Sequence, residues 1–417
     1  MPPMDHLAEL PAARKRGQPP TGEALLAAAC RIAAAEGLAG LTLRPLAESL
    51  AISVTVLSNH YGARADVLAA ICHAALAEEQ RLFTAWRRDL VTLDVLAPAV
   101  AADLAEIILE ELAVRQRPLS QLFVELVQAS TWDQTVQAAF APWLQARRQF
   151  WHEFGTRAGL PAALLDSGWL AGYFIDELAY SVLLNHAPPY RLLRRLCLRR
   201  LFSGLVKGPD ESGDTGLFSL LFDALEYQPG EPSVIQGADL SDGWPGRAAH
   251  ACAIQLSARG VGGLTHRAIA AEAGVPHTTL SYRFPTQQDL VIAGLEYIIS
   301  HLLIAVDKAG LTGNHQLLSE GEQHGLDVSR ATFAVAIAAT RLTRLAPCAA
   351  DMRRRRGINL VKLLPQLAPE TSGMDWLAAQ VMSIGLIGLA NTLPPGESAR
   401  HAVNQAFGSV IGWAQRA

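Results

Sequence analysis

Apolar positions recur along this chain at spacings of three and four, the period of a helix with one buried face. Leu25, Ala28, Ala29, Ile32 and Ala33 define such a face between Thr21, a residue type that caps helices, and Gly37, a helix stop. Leu43, Leu46, Ala47 and Leu50 define a second, short one, which Thr42 is placed to cap. After a tight turn at Ala51 and Ile52, Ser53 is placed to cap a third helix running to about Tyr61. Arg64 to Leu82 continues the period with Val67, Leu68, Ile71, Ala75 and Leu82. Beyond Trp86 the spacing predicts helices over Leu96–Arg115, Leu119–Ser130, Thr135–Gly155, Ala163–Asn185 and Arg191–Val206. No segment alternates apolar and polar residues as a half-buried strand does. The fold class is therefore expected to be all-α.

Leu41 to Tyr61, LTLRPLAESLAISVTVLSNHY, has the pattern of a helix-turn-helix, whose second helix can enter a DNA major groove. It recurs 223 residues later as LTHRAIAAEAGVPHTTLSYRF, Leu264 to Phe284. Without a gap, Gly37, Gly40, Leu41, Thr42, Arg44, Ala47, Thr55, Leu57, Ser58 and Asp66 match Gly260, Gly263, Leu264, Thr265, Arg267, Ala270, Thr278, Leu280, Ser281 and Asp289. The repeat continues further on. Trp169-Leu170-Ala171 matches Trp376-Leu377-Ala378 at an offset of 207, and Asn185 with Pro188-Pro189 matches Asn391 with Pro394-Pro395 at 206. The spacing predicts further helices over Pro245–Arg259, Gln287 to about Lys308, Ser329–Leu345, Ala349–Leu367, Met374–Asn391 and Ser398–Gln415. The expected order is a basic arm at 1–20, a first head at 21–65, a first body at 66–206, a linker with a short helix (217–227) at 207–243, a second head at 244–288 and a second body at 289–417.

Composition changes this picture only in places. The net charge of −4 does not suggest nucleic acid, but its distribution does. Ala12 to Arg64 carries six basic residues and three acidic ones, and Trp244 to Val291 carries four and two. The lack of a run of about 18 apolar residues argues against a membrane span. The N-terminus has no apolar stretch like that of a signal peptide, so a soluble cytoplasmic protein is expected. Five single cysteines in no metal-ligand spacing suggest neither a disulfide framework nor zinc. No nucleophile motif or phosphate loop is present, so neither an enzyme nor a cofactor is expected.

A three-helix head, a connecting helix and a helical body ending in two long helices resembles the TetR family of transcriptional regulators. Thr265, Arg267, Ile269, Ala270, Ala273, Gly274, Val275, Leu280, Phe284 and Pro285 carry the family pattern in the second copy. Thr42, Arg44, Leu46, Ala47, Ile52, Ser53, Leu57 and Tyr61 carry it in the first. Both copies depart from it where serine replaces the usual recognition-helix tyrosine, at Ser58 and Ser281. Ala51 replaces the usual turn glycine, a change that costs little if its φ is negative. A basic residue opens the fourth helix as Arg64 but is replaced by Gln287 in the second copy.

The resemblance implies a ligand-responsive repressor whose partners are double-stranded operator DNA and a small apolar or aromatic effector. The expected DNA-contacting residues are Arg14, Lys15 and Arg16 on the arm, Thr42, Arg44, Ser53, Thr55, Ser58, Asn59, His60 and Arg64 in the first head, and Thr265, Arg267, His277, Thr278, Ser281, Tyr282 and Arg283 in the second. Asparagine pairs with adenine, arginine with guanine, and hydroxyls with bases or phosphates. Phe123, Trp132, Trp143, Trp151, Trp169 and Tyr173 are the candidates for lining an effector pocket. The arginine runs at 191–200 and 353–356 read as solvated or salt-bridged faces.

Family members dimerise through a four-helix bundle made of the last two helices of each chain. Here one chain supplies both pairs, about 163–206 and 374–415, and an intramolecular pseudo-dimer on an asymmetric, pseudo-palindromic operator is expected. Two alternatives stay open: a homodimer of tandem chains with one head of each silent, and a ligand-binding or protein-interaction module with one or both heads silent.

Overall fold

The computed structural model describes residues 20–93, 95–206, 212–226, 243–298, 327–368 and 373–415. Among these residues there are helices and turns but no strand. The Arg14-Lys15-Arg16 arm lies outside them, as does the end of the helix expected to run to Lys308.

Residues 20–226 form the first half. α1 (Gly22–Glu36), α2 (Leu43–Ser49) and α3 (Val54–Tyr61) make its head. α4 (Arg64–Val91) leads into a body of α5 (Pro98–Glu110), α6 (Arg117–Ala129), α7 (Gln134–Arg157), α8 (Ala162–Asp166), α9 (Trp169–Leu184) and α10 (Pro188–Ser203). α11 (Ser212–Ala224) lies against α10 and buries Phe218 and Leu221. Residues 243–415 form the second half. α12 (Trp244–Arg259), α13 (His266–Ala273) and α14 (His277–Arg283) are followed by α15 (287–298), α16 (Val328–Ala339), α17 (Ala346–Arg354), α18 (Ile358–Leu367), α19 (Trp376–Ala390) and α20 (Glu397–Ala414).

Two of the expected long helices are broken by glycines at positive φ. Gly168, at φ 78°, separates α8 from α9. Gly357, at φ 80°, separates α17 from α18. A β-carbon on Gly357 would stand 2.5 Å from the carbonyl carbon of Ala379, so α19 approaches too closely for a side chain there. Periodicity does not see such a break, because the apolar spacing continues across it.

The two halves share one core. Its axis is the pairing of α9 with α19, the largest helix–helix contact among the described residues. Every residue of α9 is buried. α10 packs on α19 and α5, and α20 on α19 and α8. The arginine runs are divided: Arg191, Arg195 and Arg199 are exposed, while Arg194, Arg200, Arg353, Arg354 and Arg356 are buried and ion-paired. None of the described helices is long and apolar enough to cross a membrane.

Candidate nucleic-acid interface

Each head is a three-helix unit closed over a small apolar core. In the first, Leu25, Ala28 and Ala29 of α1 pack with Leu46, Ala47 and Leu57, and the hydroxyl of Tyr61 donates to the carbonyl of Pro20 at 2.7 Å. In the second, Leu256, Ile269, Ala273, Leu280 and Phe284 serve the same purpose, with Trp244 edge-on to Phe284. Gly37 and Gly260 end α1 and α12 at φ 71° and 63°.

Caps follow the expectation in part. Ser53 Oγ accepts from the Val56 N–H at 3.2 Å, and Thr265 Oγ1 from the Ala268 N–H at 3.2 Å. Thr42 sits at the N-cap of α2, but its side chain makes no capping bond. The residue is exposed. Asp66 and Asp289 each accept from the backbone N–H three residues earlier, fixing the entry to α4 and α15. Gln287 donates to the carbonyls of Val261 and Leu264 at 3.1 and 3.0 Å. It therefore ties the start of α15 to the turn after α12, a role that reading it as a lost cation missed.

The residues expected to read DNA are mostly exposed in each head. Thr42, Arg44, Ser53, Thr55, Asn59, His60 and Arg64 are exposed, and Ser58 is half-buried. Arg44 lies 2.9 Å from Glu48 in an exposed pair, which a phosphate would have to compete with. In the second head Thr265, Arg267, His277 and Thr278 are exposed, while Ser281 and Arg283 are half-buried. Tyr282 is 91% exposed, the most protruding of the large apolar side chains among the described residues. An aromatic ring on the open face of a short helix has no packing purpose within the chain. Ser281 Oγ lies 3.5 Å from His277 Nδ1.

Ala51 adopts φ 54°, the single positive φ outside glycine among the described residues. Gly274 occupies the equivalent turn of the second head at φ 69°. The low-cost condition set for alanine at this turn is thus not met, because its β-carbon crowds the following carbonyl in the left-handed region. Nothing lies within 4 Å of where a β-carbon on Gly274 would stand, so backbone strain alone separates the two turns. Ala51→Gly is expected to stabilise the protein by about 1 kcal/mol, and Gly274→Ala to destabilise it by about the same amount. Urea unfolding of the two variants beside the parent measures both, and equal midpoints would contradict the argument.

Both heads rest on the first body at one place. Glu125, near the end of α6, accepts from the Leu38 N–H at 3.2 Å and pairs with Arg341 of the second half. A β-carbon on Gly260 would stand 2.7 Å from Oε1 of Gln128, also on α6.

The aromatic residues expected to line an effector pocket fall into three separate places. Phe123 and Trp143 pack edge to face at 5.2 Å, and the indole N–H of Trp143 donates to Glu79 of α4. Trp151 stacks on Phe174 at 3.4 Å. Phe174 in turn meets Tyr173, which neighbours Trp169 in the contact between the halves. Trp132 is 39% exposed on the turn before α7. Burial, with Glu177 nearby, pushes the Tyr173 phenol well above its usual range. A surface groove of about 370 Å³ runs between the end of α4 and α7, walled by Leu90, Val91, Phe150 and Phe154 with Arg87 and Arg157. Sequence reading missed it, since its walls come from stretches some 60 residues apart. Among the described residues, no group of three or more His, Cys, Asp or Glu is placed to hold a metal ion.

No curated protein matches the chain. Residues 250–293, from α12 through α13 and α14 into α15, match the family model of the bacterial regulatory proteins of the tetR family, and this match supports a regulator of that type.

Proposed function

We propose that the chain is a DNA-binding transcriptional regulator of tetR type, a ligand-responsive repressor that acts as a single-chain pseudo-dimer. The observation that carries the reading is the second head. Its sequence matches the family model, and it keeps Thr265, Arg267, His277, Thr278 and Tyr282 exposed. The first head supports it by repeating the same three-helix geometry with its own exposed Arg44, Thr55, Asn59 and His60. Arg44, Arg64 and Arg267 hold phosphates, with the 14–16 arm as a further cationic contact. Ser53, Thr55, Ser58, Asn59 and His60, and His277, Thr278, Ser281, Tyr282 and Arg283, face the groove. Since the two recognition helices differ, the operator has two unlike half-sites.

The effector is apolar or aromatic and enters the first body. Phe150 and Phe154, which wall the groove beside α4, also contact Trp151, at 5.1 and 5.6 Å. A ligand there lies against the helix that carries the first head. It shifts DNA affinity to the extent that it prefers one position of α4.

Selection of bound sites from random DNA tests the reading. The unmutated protein is expected to enrich a composite site of two unlike halves. Arg44→Ala with Asn59→Ala removes preference at one half, and Arg267→Ala with Arg283→Ala at the other, each base contact being worth about 1–3 kcal/mol. No enrichment at either low or near-physiological salt would point to a module with silent heads.

A further inference from the structure

The contact between the halves is asymmetric in both shape and charge. At its centre Gly172 of α9 meets Gly385 and Gly388 of α19 backbone to backbone. A β-carbon on Gly172 would stand 2.5 Å from the Gly385 carbonyl oxygen and 2.5 Å from the Leu389 nitrogen. Trp169 and Trp376 set the repeat offset of 207, and at that offset Gly172 corresponds to Ala379, while Gly385 and Gly388 correspond to Leu178 and Ser181. Two copies of α9 crossing in this way would set Gly172 against Leu178 and Ser181. Two copies of α19 would drive the Ala379 methyl into backbone.

Charge repeats the lesson. Glu177 and Arg353 are both fully buried and lie 2.8 Å apart. Asp176 pairs with Arg356 at 3.0 Å, and Glu125 with Arg341. In all three the acid comes from the first half and the arginine from the second. Arg200 and Asp375, 3.3 Å apart, run the other way. α19 carries no acidic residue, and Ser383 and Ile384 stand where the repeat would put Asp176 and Glu177. A second copy of the second half therefore offers no carboxylate on α19 to Arg353 or Arg356. In the first half the buried arginines Arg147 and Arg194 are already paired, with Glu79 and Glu106, and the buried Arg200 reaches Asp375 of the second half. Even in the native contact Asp176 Oδ2 and Arg353 Nη1 have no protein partner. Such buried charges are a poor source of stability, and an unpaired one is heavily penalised, so their effect is to select the partner.

We propose that the face built by α9 and α10 on the first half and by α17 and α19 on the second accepts one kind of partner, the opposite half, and rejects a second copy of the same half. This rests on the pseudo-dimer part of the functional reading and not on DNA binding. Its consequence is insulation from like halves: the chain does not pair first half with first half or second with second, nor with symmetric relatives that dimerise through like helices.

The test uses the full chain with a protease site placed between Glu226 and Gly243, folded and then cut, with no DNA present. Native mass spectrometry at about 1 μM is expected to find the two fragments paired one to one. After partial unfolding and refolding with an isotope-labelled preparation, first-with-second pairs are expected to outnumber like pairs by at least about a hundredfold. Single reversals, Glu177→Arg or Arg353→Glu, are expected to lower the paired fraction about tenfold, and the double reversal to recover most of it. Should the reversed chains fail to fold, the exchange of the parent fragments still decides. Like pairs at comparable abundance would overturn the proposal. So would an uncut chain of about 90 kDa, twice 44.7 kDa, held through contacts between like halves. Loss of DNA binding with exchange unchanged would overturn the functional reading alone.

Discussion

Gly388→Ala is expected to destabilise the protein by about 3 kcal/mol, although alanine is the better helix former by about 1 kcal/mol. The added methyl would overlap the carbonyl of Gly172 and stand 2.5 Å from its carbon. Those are backbone atoms of a helix with every residue buried, so no side chain can swing aside. α9 must move away from α19 as a unit. That shift also stretches the interior pairs Glu177–Arg353 and Asp176–Arg356. Gly408, in the middle of α20, is the control, because nothing lies within 4 Å of where its β-carbon would stand. Gly408→Ala is expected to raise stability by about 0.5–1 kcal/mol. Urea midpoints for the two variants should move in opposite directions. A Gly388→Ala midpoint within error of the parent would mean that the halves do not cross as closely as described.

The two heads were the most legible part of the chain. Their apolar positions are local, and the residues left over by the helical period are those found exposed: Thr55 and Asn59 on α3, His277 and Thr278 on α14. Gln287 was misread because its partners, the carbonyls of Val261 and Leu264, belong to a turn with no side-chain signature. The bodies were legible as helices but not as packing. Gly168 and Gly357 break helices that the apolar period runs straight through. Arg353, Arg354 and Arg356 read as a solvated or salt-bridged face; their ion pairing fits that reading but their burial does not, since a local pattern cannot show that Glu177 and Asp176, some 180 residues earlier, await two of them. The effector candidates were chosen as a crowd of aromatic residues. Helix faces divided that crowd: Phe123 packs on Trp143, which reaches Glu79 of α4, Trp151 stacks on Phe174 of α9, and Trp169 donates to the Met382 carbonyl of the second half.

Glu79 is a further buried charge that the helical pattern concealed. It lies on the same face of α4 as Ile71 and Ala75, is fully buried, and holds both Arg147 and the indole N–H of Trp143 on α7. The Arg147 guanidinium also sits 3.5 Å from the centroid of the Phe123 ring. Glu79→Ala leaves that guanidinium buried with no carboxylate, and is expected to cost about 3–5 kcal/mol. The double variant Glu79→Leu with Arg147→Met fills the same space without charge. It is expected to recover most of the loss or to exceed the parent, because two desolvated ions are removed together. Urea unfolding of the four proteins closes the cycle, and a double variant no better than Glu79→Ala would place the loss in packing instead of charge. The tie also bears on function. α4 joins the first head to the body, and Glu79 fastens it to α7, the helix that carries Phe150 and Phe154 on the other side of the groove. If α4 transmits the effector's presence, the double variant keeps its fold and its DNA affinity in the absence of effector. Its response to effector weakens, because an apolar contact lets α4 slide along α7 where a paired carboxylate and guanidinium hold one register.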